Sequence, residues 1–187
     1  KINRVTRKNH QGVLAFVSPI EFDNIENVLP GIYEEGKTPL ILILDQITDV
    51  RNFGAIARSA ECAGVHAIVI PEKGMARVGA DAVKTSAGAI HNIPICKVKN
   101  ITDTVSFLQA SGIYVVAATE KGKKLYTQAD FTLPLGIVMG SEDTGVSNQI
   151  LRIADEQLQI PILGKIESLN VSVSAALMIY EAVRQRS

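Results

Sequence analysis

The chain has few of the features that mark several common classes of protein. It has no tryptophan, and aromatic residues make up only 5% of it, which favours an aliphatic α/β interior over an aromatic-rich β-sandwich. Two distant cysteines, Cys62 and Cys96, and three scattered histidines, His10, His66 and His91, have no metal-ligand spacing. We therefore expect no metal site, no disulfide framework and a reduced, cytoplasmic setting. No apolar run reaches the roughly 18 residues that a membrane-spanning helix needs.

The net charge of the chain is zero, because 19 lysines and arginines balance 19 aspartates and glutamates. This balance argues against a nucleic-acid-binding protein, since contacts to phosphates normally need a basic surface. It does not exclude one, because net charge says nothing about how the charges are arranged. Four of the first ten residues are lysine or arginine. The simpler interpretation of that segment is a solvated chain end, and the alternative is part of an RNA-binding region.

The chain divides into a leader or linker over residues 1–38 and one domain over residues 39–187. A strand is predicted in the leader at 12–17. In the domain, strands are predicted at 40–45, 67–70, 93–98, 113–119, 135–140 and 157–162. Helices are predicted near 52–64, 79–88, 101–111, 146–153 and 170–186. The strands are apolar throughout rather than alternating, which is typical of a parallel sheet covered on both faces. The sequence thus predicts an α/β fold with an open, mainly parallel sheet and helices on both faces.

No two of the 14 glycines are separated by a single residue. A Gly-x-Gly turn is needed by the Rossmann dinucleotide fingerprint and by the usual glycine-rich loop of the commonest methyltransferase fold. Gly140 and Gly145 have the spacing of a Walker A loop, but Val146 stands where that loop needs its lysine. An α/β chain without these motifs must bind its ligand in another way.

The first block with chemical content, Asn52–Gly64, follows the first predicted strand of the domain. At 100° per residue, one face of this helix collects the apolar residues Phe53, Ile56, Ala57, Ala60 and Ala63. Arg58 lies nearly opposite that face, so it points toward solvent, a partner or a ligand. Asn52 is predicted to cap the helix. Capping and solvation would by themselves explain these two residues.

The second block, Ile137–Gly145, takes a buried strand into a polar turn at the carboxyl edge of the sheet, where open α/β sheets bind ligands. Gly140 would let a ligand approach the backbone, and Glu142 would bring a carboxylate into the crevice. An ordinary polar turn is the alternative. The third block, Ile160–Ser172, passes from a strand through a loop to a helix, with Ser168 or Asn170 as a cap. By itself it carries little information.

Together, in this order and at these spacings, the three blocks resemble the signature motifs of the TrmH family of SPOUT methyltransferases. The elements N-x-G-A-x-x-R-S, G-S-E-x-x-G and E-S-L-N-V-S are all present. The resemblance extends from about Leu40 to Arg186, and the segment Val83–Ala89 looks most like the bacterial 23S rRNA guanosine 2′-O-methyltransferases. The segment His10–Val13 resembles the junction after the small RNA-binding domain of those enzymes. Residues 1–38 are therefore expected to be a linker at the end of a domain that this chain lacks.

The resemblance implies a C-terminal trefoil knot, a homodimer with composite sites, and S-adenosylmethionine held in a bent shape by backbone groups. The cofactor-binding positions that carry over are Thr119, Met139, Gly140, Ile160 and Leu169. It also implies methylation of a ribose 2′-hydroxyl in structured RNA, with a guanosine of 23S rRNA as the expected substrate. In a dimer, Arg58 would work beside the ligand of the partner.

The resemblance assigns catalysis to five residues, namely Arg58, Asn52, Glu142, Ser168 and Asn170. Our hypothesis is that Arg58 stabilises the developing alkoxide and orients the RNA, because a guanidinium is essentially never deprotonated in a protein. The proton would pass to a phosphate, to water or to Glu142, while Asn52, Ser168 and Asn170 hold the geometry around the methyl acceptor. Two alternatives remain: a tRNA guanosine 2′-O-methyltransferase, and a non-catalytic RNA-binding or ribosome-assembly protein.

Overall fold

The computed structural model describes residues 18–76 and 78–187, so the strand predicted at 12–17 lies outside the described residues. Seven strands form one parallel sheet in the order β3-β2-β1-β6-β4-β7-β5. Their bounds are β1 Leu40–Asp45, β2 Ala67–Pro71, β3 Ile95–Val98, β4 Tyr114–Ala118, β5 Lys124–Leu125, β6 Leu135–Gly140 and β7 Glu156–Gln159. The predicted parallel sheet is confirmed, and β1 and β6 have the predicted bounds.

Helices cover both faces of the sheet, as predicted. They are α1 Ile25–Glu34, α2 Val50–Cys62, α3 Ala80–Thr85, α4 Ile101–Ala110, α5 Asn148–Ile153 and α6 Val171–Arg186. The alternation of side chains along β1 separates two cores. Leu42 and Leu44 pack with α2 and α6, whereas Ile41 and Ile43 pack with α1, α4 and α5. Each face of this fully buried strand therefore meets its own layer of helices.

Helix α1 was not predicted, because Pro30 and Gly31 are residues that usually interrupt a helix. Pro30 nevertheless lies inside the helix, which Asn24 caps by accepting the N–H of Glu26 at 2.9 Å. The helix forms because it buries Ile25, Leu29 and Ile32 against the sheet, and this packing outweighs the cost of an internal proline. Part of the predicted leader thus packs on the domain, while the boundary at residue 38 stays a prediction.

The prediction that Asn52 caps α2 was wrong, because the helix begins about one turn earlier. Asp49, not Asn52, is the N-cap, because its carboxylate accepts the N–H groups of Arg51 at 2.6 Å and Asn52 at 3.1 Å. Both residues are of a type that caps helices, so sequence preference alone could not separate them. Asn52 instead lies in the first turn, where its side chain remains available for other contacts.

Strand β7 ends at Gln159, three residues before its predicted end at Ile162. Pro161 has no N–H to donate to a neighbouring strand, and the chain leaves the sheet there as an exposed loop. The two-residue strand β5 pairs with β7 at the edge of the sheet and was missed, because two residues show no periodicity.

The C-terminus is tied to the amino-terminal edge of the sheet. The guanidinium of Arg186 donates to the backbone carbonyls of Thr38, Pro39, Phe131 and Leu133 at 2.7 to 3.1 Å. These four bonds hold the end of α6 beside the starts of β1 and β6. The C-terminal trefoil knot stays a prediction, because strand order defines neighbours and not the threading of α6. Within the described ranges, every helix is too short or too polar to cross a lipid bilayer.

His66 provides a pH-sensitive contact at that same edge. Its Nδ1 accepts the backbone N–H of Leu40 at 3.0 Å, which requires a ring nitrogen without a proton. Burial lowers the pKa of His66 from its usual value, and the nearby cations Lys37 and Arg186 lower this pKa further. The neutral ring is therefore the form that fits the folded chain.

We expect acid to destabilise the fold partly through His66. Because the pKa of His66 is lower in the folded than in the unfolded chain, its contribution is fully present above about pH 6.5 and is lost as the pH falls through the folded-state pKa. Thermal unfolding between about pH 7.5 and about pH 5.5 should show a larger fall in Tm for the wild type than for His66→Asn, whose amide oxygen replaces Nδ1 as acceptor. Equal slopes for the two proteins would contradict this assignment.

Candidate active site

A cavity of about 590 Å³ opens at the carboxyl ends of β4, β6 and β7. Its size lies within the range of small-molecule sites, and its place is the edge at which parallel α/β sheets bind ligands. Its walls are the segments that follow these three strands, which are 118–121, 139–148 and 158–169, together with the start of α6. The second and third sequence blocks thus meet at one cavity.

All five residues predicted to bind the cofactor line this cavity, namely Thr119, Met139, Gly140, Ile160 and Leu169. Met139 and Gly140 are buried at the end of β6, whereas Leu169 is exposed in the loop before α6. Thr119 is fixed by donating its N–H to the carbonyl of Leu158 at 2.9 Å. Residues up to 50 positions apart in the chain therefore surround one space, and their roles in binding stay predictions.

Three of the five residues predicted to be catalytic are joined by hydrogen bonds. The side-chain amide of Asn170 donates to Oδ1 of Asn52 at 3.0 Å and to Oε1 of Glu142 at 2.6 Å. The same carboxylate oxygen accepts the N–H of Val171 at 3.3 Å, in the first turn of α6. Each of the three sequence blocks contributes one residue to this network. The carboxylate of Glu142 thus lies at the N-terminus of α6, where backbone N–H groups without a helical partner point outward.

Asn170, one of the two residues predicted as a possible cap, also caps α6. Its Oδ1 accepts the N–H of Ser172 at 3.0 Å, while its Nδ2 makes the bonds to Glu142 and Asn52. One side chain therefore starts the helix and orients the two other residues of the network. Ser168, the other predicted cap, does not cap the helix; it lies exposed on the wall of the cavity.

The loop between β6 and α5 depends on contacts that the sequence did not reveal. Ser141 and Gly145 exchange two backbone hydrogen bonds of 2.9 and 3.2 Å, with Gly145 at a φ of 67°. Asp45, at the end of β1 and only 5% exposed, accepts the N–H of Ser147 at 2.8 Å. The signal available in the sequence was a carboxylate, Asp45, at the end of an otherwise apolar strand. These contacts hold Glu142 in a tight turn at the cavity.

Arg58 is not brought to the cavity of its own chain. It is exposed on the outer face of α2, opposite the buried stripe, as the helical periodicity predicted. Asn52 lies on the same helix but is turned by about 120° and connects to the network. Within one chain, four of the five predicted catalytic residues thus lie at or beside the cavity, and Arg58 faces outward.

A model of the SpoU rRNA Methylase family matches residues 39–180. The chain belongs to this family. The 23S rRNA (guanosine-2'-O-)-methyltransferase RlmB of Photorhabdus laumondii is 40% identical over 178 residues, which cover 95% of this chain and 72% of that protein. RlmB of Escherichia coli K12 is 39% identical over 95% of this chain and 73% of its own length.

Solved structures of SpoU methyltransferases have the same fold. AviRb from Streptomyces viridochromogenes, crystallised with AdoMet, matches with a TM-score of 0.78 at 29% identity. The match covers 89% of this chain and 66% of AviRb. The TrmH/SpoU tRNA modifying enzyme of A. aeolicus matches with a TM-score of 0.73 at 31% identity, covering 80% of this chain and 76% of that one. The TrmH-type resemblance of the sequence is thereby confirmed.

As a SpoU-family methyltransferase, the chain uses S-adenosylmethionine, and the charges around the cavity fit this cofactor. Of the residues that the structure describes, four carboxylates line the cavity, those of Glu120, Glu142, Asp143 and Glu167, and one lysine, Lys121, is placed among them. Carboxylates attract the sulfonium and the ammonium of the cofactor, and a single lysine can meet its carboxylate. The site therefore combines a suitable volume with a complementary charge.

We expect Gly140→Ala to distort the turn after β6 and with it the wall of the cavity. A Cβ at this position would collide with backbone atoms of Gly145 and Val146, which cannot move without opening the turn. The variant should lose about 1–3 kcal/mol of unfolding free energy and bind S-adenosylmethionine about tenfold or more weakly. Calorimetric titration and thermal unfolding measure both effects.

Gly31→Ala is the matched control, because Gly31 lies inside α1 with nothing within 4 Å of an added Cβ. It should keep its affinity for S-adenosylmethionine and gain a little stability. Wild-type affinity in Gly140→Ala would show that the turn adapts and that our account of the site is wrong.

Proposed function

We propose that this chain transfers the methyl group of S-adenosylmethionine to the ribose 2′-hydroxyl of a guanosine in 23S rRNA, in the cytoplasm. The observation that carries the proposal is the hydrogen-bonded set of Asn52, Glu142 and Asn170 beside the cavity. It places an oriented carboxylate next to the space that fits the cofactor. The names of the two RlmB relatives, both 23S rRNA (guanosine-2'-O-)-methyltransferases, support the substrate.

Bound S-adenosylmethionine supplies an electrophilic methyl group on a good leaving group. The difficult part of the reaction is therefore to activate the ribose 2′-hydroxyl, which is a weak nucleophile until it loses its proton. Glu142 is the protein group placed to take the hydroxyl proton. Its Oε1 is held by Asn170 and Val171, while its Oε2 has no hydrogen-bond partner among residues 18–76 and 78–187. Because Oε1 is held, the carboxylate has a defined orientation. Oε2 can then accept a proton from a hydroxyl that lies within hydrogen-bond distance. A phosphate or water is the alternative acceptor.

Loss of the hydroxyl proton leaves negative charge on the ribose oxygen, and Arg58 supplies the positive charge that stabilises it. A guanidinium stays protonated throughout, so its role is to stabilise the developing alkoxide and to orient the RNA. Because Arg58 faces away from the cavity of its own chain, it would serve the cavity of a second copy. The proposal therefore includes a homodimer in which each site combines Glu142 of one protomer with Arg58 of its partner.

An exposed apolar surface supports the dimer. On α6, Val173, Leu177 and Tyr180 are 47%, 37% and 48% exposed, and they line a second cavity of about 370 Å³. In the preceding loop, Leu163 and Ile166 are 97% and 76% exposed. Exposed apolar side chains that run along a helix and into the loop of a ligand site are typical of a protein interface. A second copy would remove them from water.

Replacing Arg58 with lysine tests its role. Lysine keeps the charge but lacks the planar fork that can hold an oxygen and a phosphate together, so we expect kcat to fall by about 10²–10³-fold. The affinity for S-adenosylmethionine should change little, because the proposed contacts of Arg58 are to the acceptor oxygen and the RNA and not to the cofactor. Single-turnover methyl transfer and calorimetry separate the two effects. Nearly full activity would rule out bidentate positioning by Arg58.

Mixing two inactive variants shows whether Arg58 acts across the dimer. In a mixture of Arg58→Ala and Asn170→Ala protomers, random exchange gives about half mixed dimers, each with one intact composite site, so about a quarter of wild-type activity should return. The control is each variant mixed with itself. No recovery in a mixture shown by mass measurement to contain mixed dimers would mean that Arg58 acts within its own chain.

A tRNA guanosine is the second candidate substrate, and the similarity to the A. aeolicus TrmH/SpoU tRNA modifying enzyme is the observation in its favour. Mapping ribose methylation in rRNA and tRNA from a strain without the gene decides between the two. We expect one 2′-O-methylguanosine to disappear from 23S rRNA and to return when the wild-type gene is restored. Loss of a tRNA methyl group would identify tRNA as the substrate. An unchanged methylation pattern in both RNAs would favour a non-catalytic RNA-binding role.

A further inference from the structure

The solvent face of α2 carries a second arginine in line with Arg58. Arg51 precedes Arg58 by seven residues, so the two side chains differ by about 20° around the helix and lie about 10 Å apart along its axis. Both are exposed. Ala55 lies between them on the same face, and its small side chain lets another molecule approach the helix closely.

Neither arginine forms an ion pair or a side-chain hydrogen bond within residues 18–76 and 78–187. A carboxylate is nearby in each case. Glu61 follows Arg58 by three residues, a spacing at which helical ion pairs form, and Asp49 precedes Arg51 by two. Asp49 instead accepts two backbone N–H groups as the N-cap. The two guanidinium groups are thus available to an outside partner.

Helix stability does not account for Arg51. It lies in the first turn of α2, where the N–H groups point outward and the helix dipole disfavours a cation. Apart from the N-cap Asp49, this end of the helix has no acidic residue that would offset the effect. A glutamate or glutamine at this position would suit the helix better, so the positive charge is expected to serve a contact outside the fold.

A third cation extends this surface onto α3. A Cβ added to Gly54 would lie 2.6 Å from Cβ of Thr85, so α2 and α3 pack closely at this point. Lys84, next to Thr85, is exposed and has no ion pair in the described part of the chain. We name Arg51, Arg58 and Lys84 the basic face. Its three exposed cations lie on two helices that pack against each other.

We propose that the basic face binds the RNA backbone and that Arg51 contacts a phosphate near the ribose presented to Arg58. This inference rests on the proposed function, because it assumes an RNA substrate at Arg58. The separation of the two arginines corresponds to about three stacked nucleotides at 3.4 Å each. Arginine suits this contact, since its planar fork pairs with two phosphate oxygens. The contact is independent of base identity and therefore adds affinity rather than sequence selectivity.

The test compares Arg51→Gln, Arg51→Lys and the control Lys37→Gln in the 187-residue chain. Lys37 is an exposed lysine paired with Glu35 at the opposite edge of the sheet, so its removal deletes the same charge away from the basic face. The probe is 23S rRNA transcribed in vitro. The measurements are RNA affinity at several salt concentrations, kcat and KM for methyl transfer, and Tm.

We expect Arg51→Gln to raise the Kd and the KM for RNA about three- to fivefold and to reduce the slope of log Kd against log salt by about one. Its kcat at saturating RNA and its affinity for S-adenosylmethionine should stay close to wild type, and its Tm should be equal or higher. Arg51→Lys should recover most of the RNA affinity because the charge returns. Lys37→Gln should bind RNA like the wild type.

Unchanged RNA affinity and salt slope in Arg51→Gln, with an active wild type, would overturn this inference and leave the proposed function intact. An equal loss in Lys37→Gln would also overturn it, because the effect would then follow net charge and not the basic face. A wild-type chain that binds S-adenosylmethionine but methylates neither 23S rRNA nor tRNA would overturn the proposed function itself.

Discussion

The side chain of Asn170 is the contact on which the site depends. Its oxygen starts α6 by accepting a backbone N–H, and its amide donates to Glu142 and to Asn52. A helix start, a loop after β6 and the first turn of α2 are thereby held at one point. Because both ends of the amide are used, the orientation of the side chain is determined, and neither an aspartate nor a serine could make the same set of bonds.

Steric limits around this contact shape the cavity. The turn after β6 folds back so closely that Gly140 has no room for a Cβ, and the buried carboxylate of Asp45 holds the far end of the same turn through Ser147. Glu142 therefore projects from a loop fixed at both ends. Such preorganisation lets the carboxylate act without first reorienting.

Charges of opposite sign lie on different surfaces of the chain. Carboxylates surround the cavity that fits a cationic cofactor, whereas Arg58 and Arg51 lie on the outer face of α2, where the phosphates of an RNA can reach them. The net charge of zero is a total over 19 basic and 19 acidic residues, so it does not reveal this separation. Among residues 18–76 and 78–187, no arginine lines the cofactor cavity, and this is the physical argument for a site shared between two copies.

Runs of apolar residues determined the sheet, because a strand buried on both faces has few polar positions, and the places of β1 and β6 in the sequence follow from that pattern. Helical periodicity likewise placed Arg58 on the outside of α2. Local sequence could not reveal α1, whose internal Pro30 is offset only by burial against the sheet. Nor could it show that Asp49 caps α2, that Asp45 anchors a loop 102 residues away, or that Asn170 meets Asn52 across 118 residues. Periodicity is a property of neighbours in the chain, whereas these contacts exist only once strand order has brought distant ends to the same edge of the sheet.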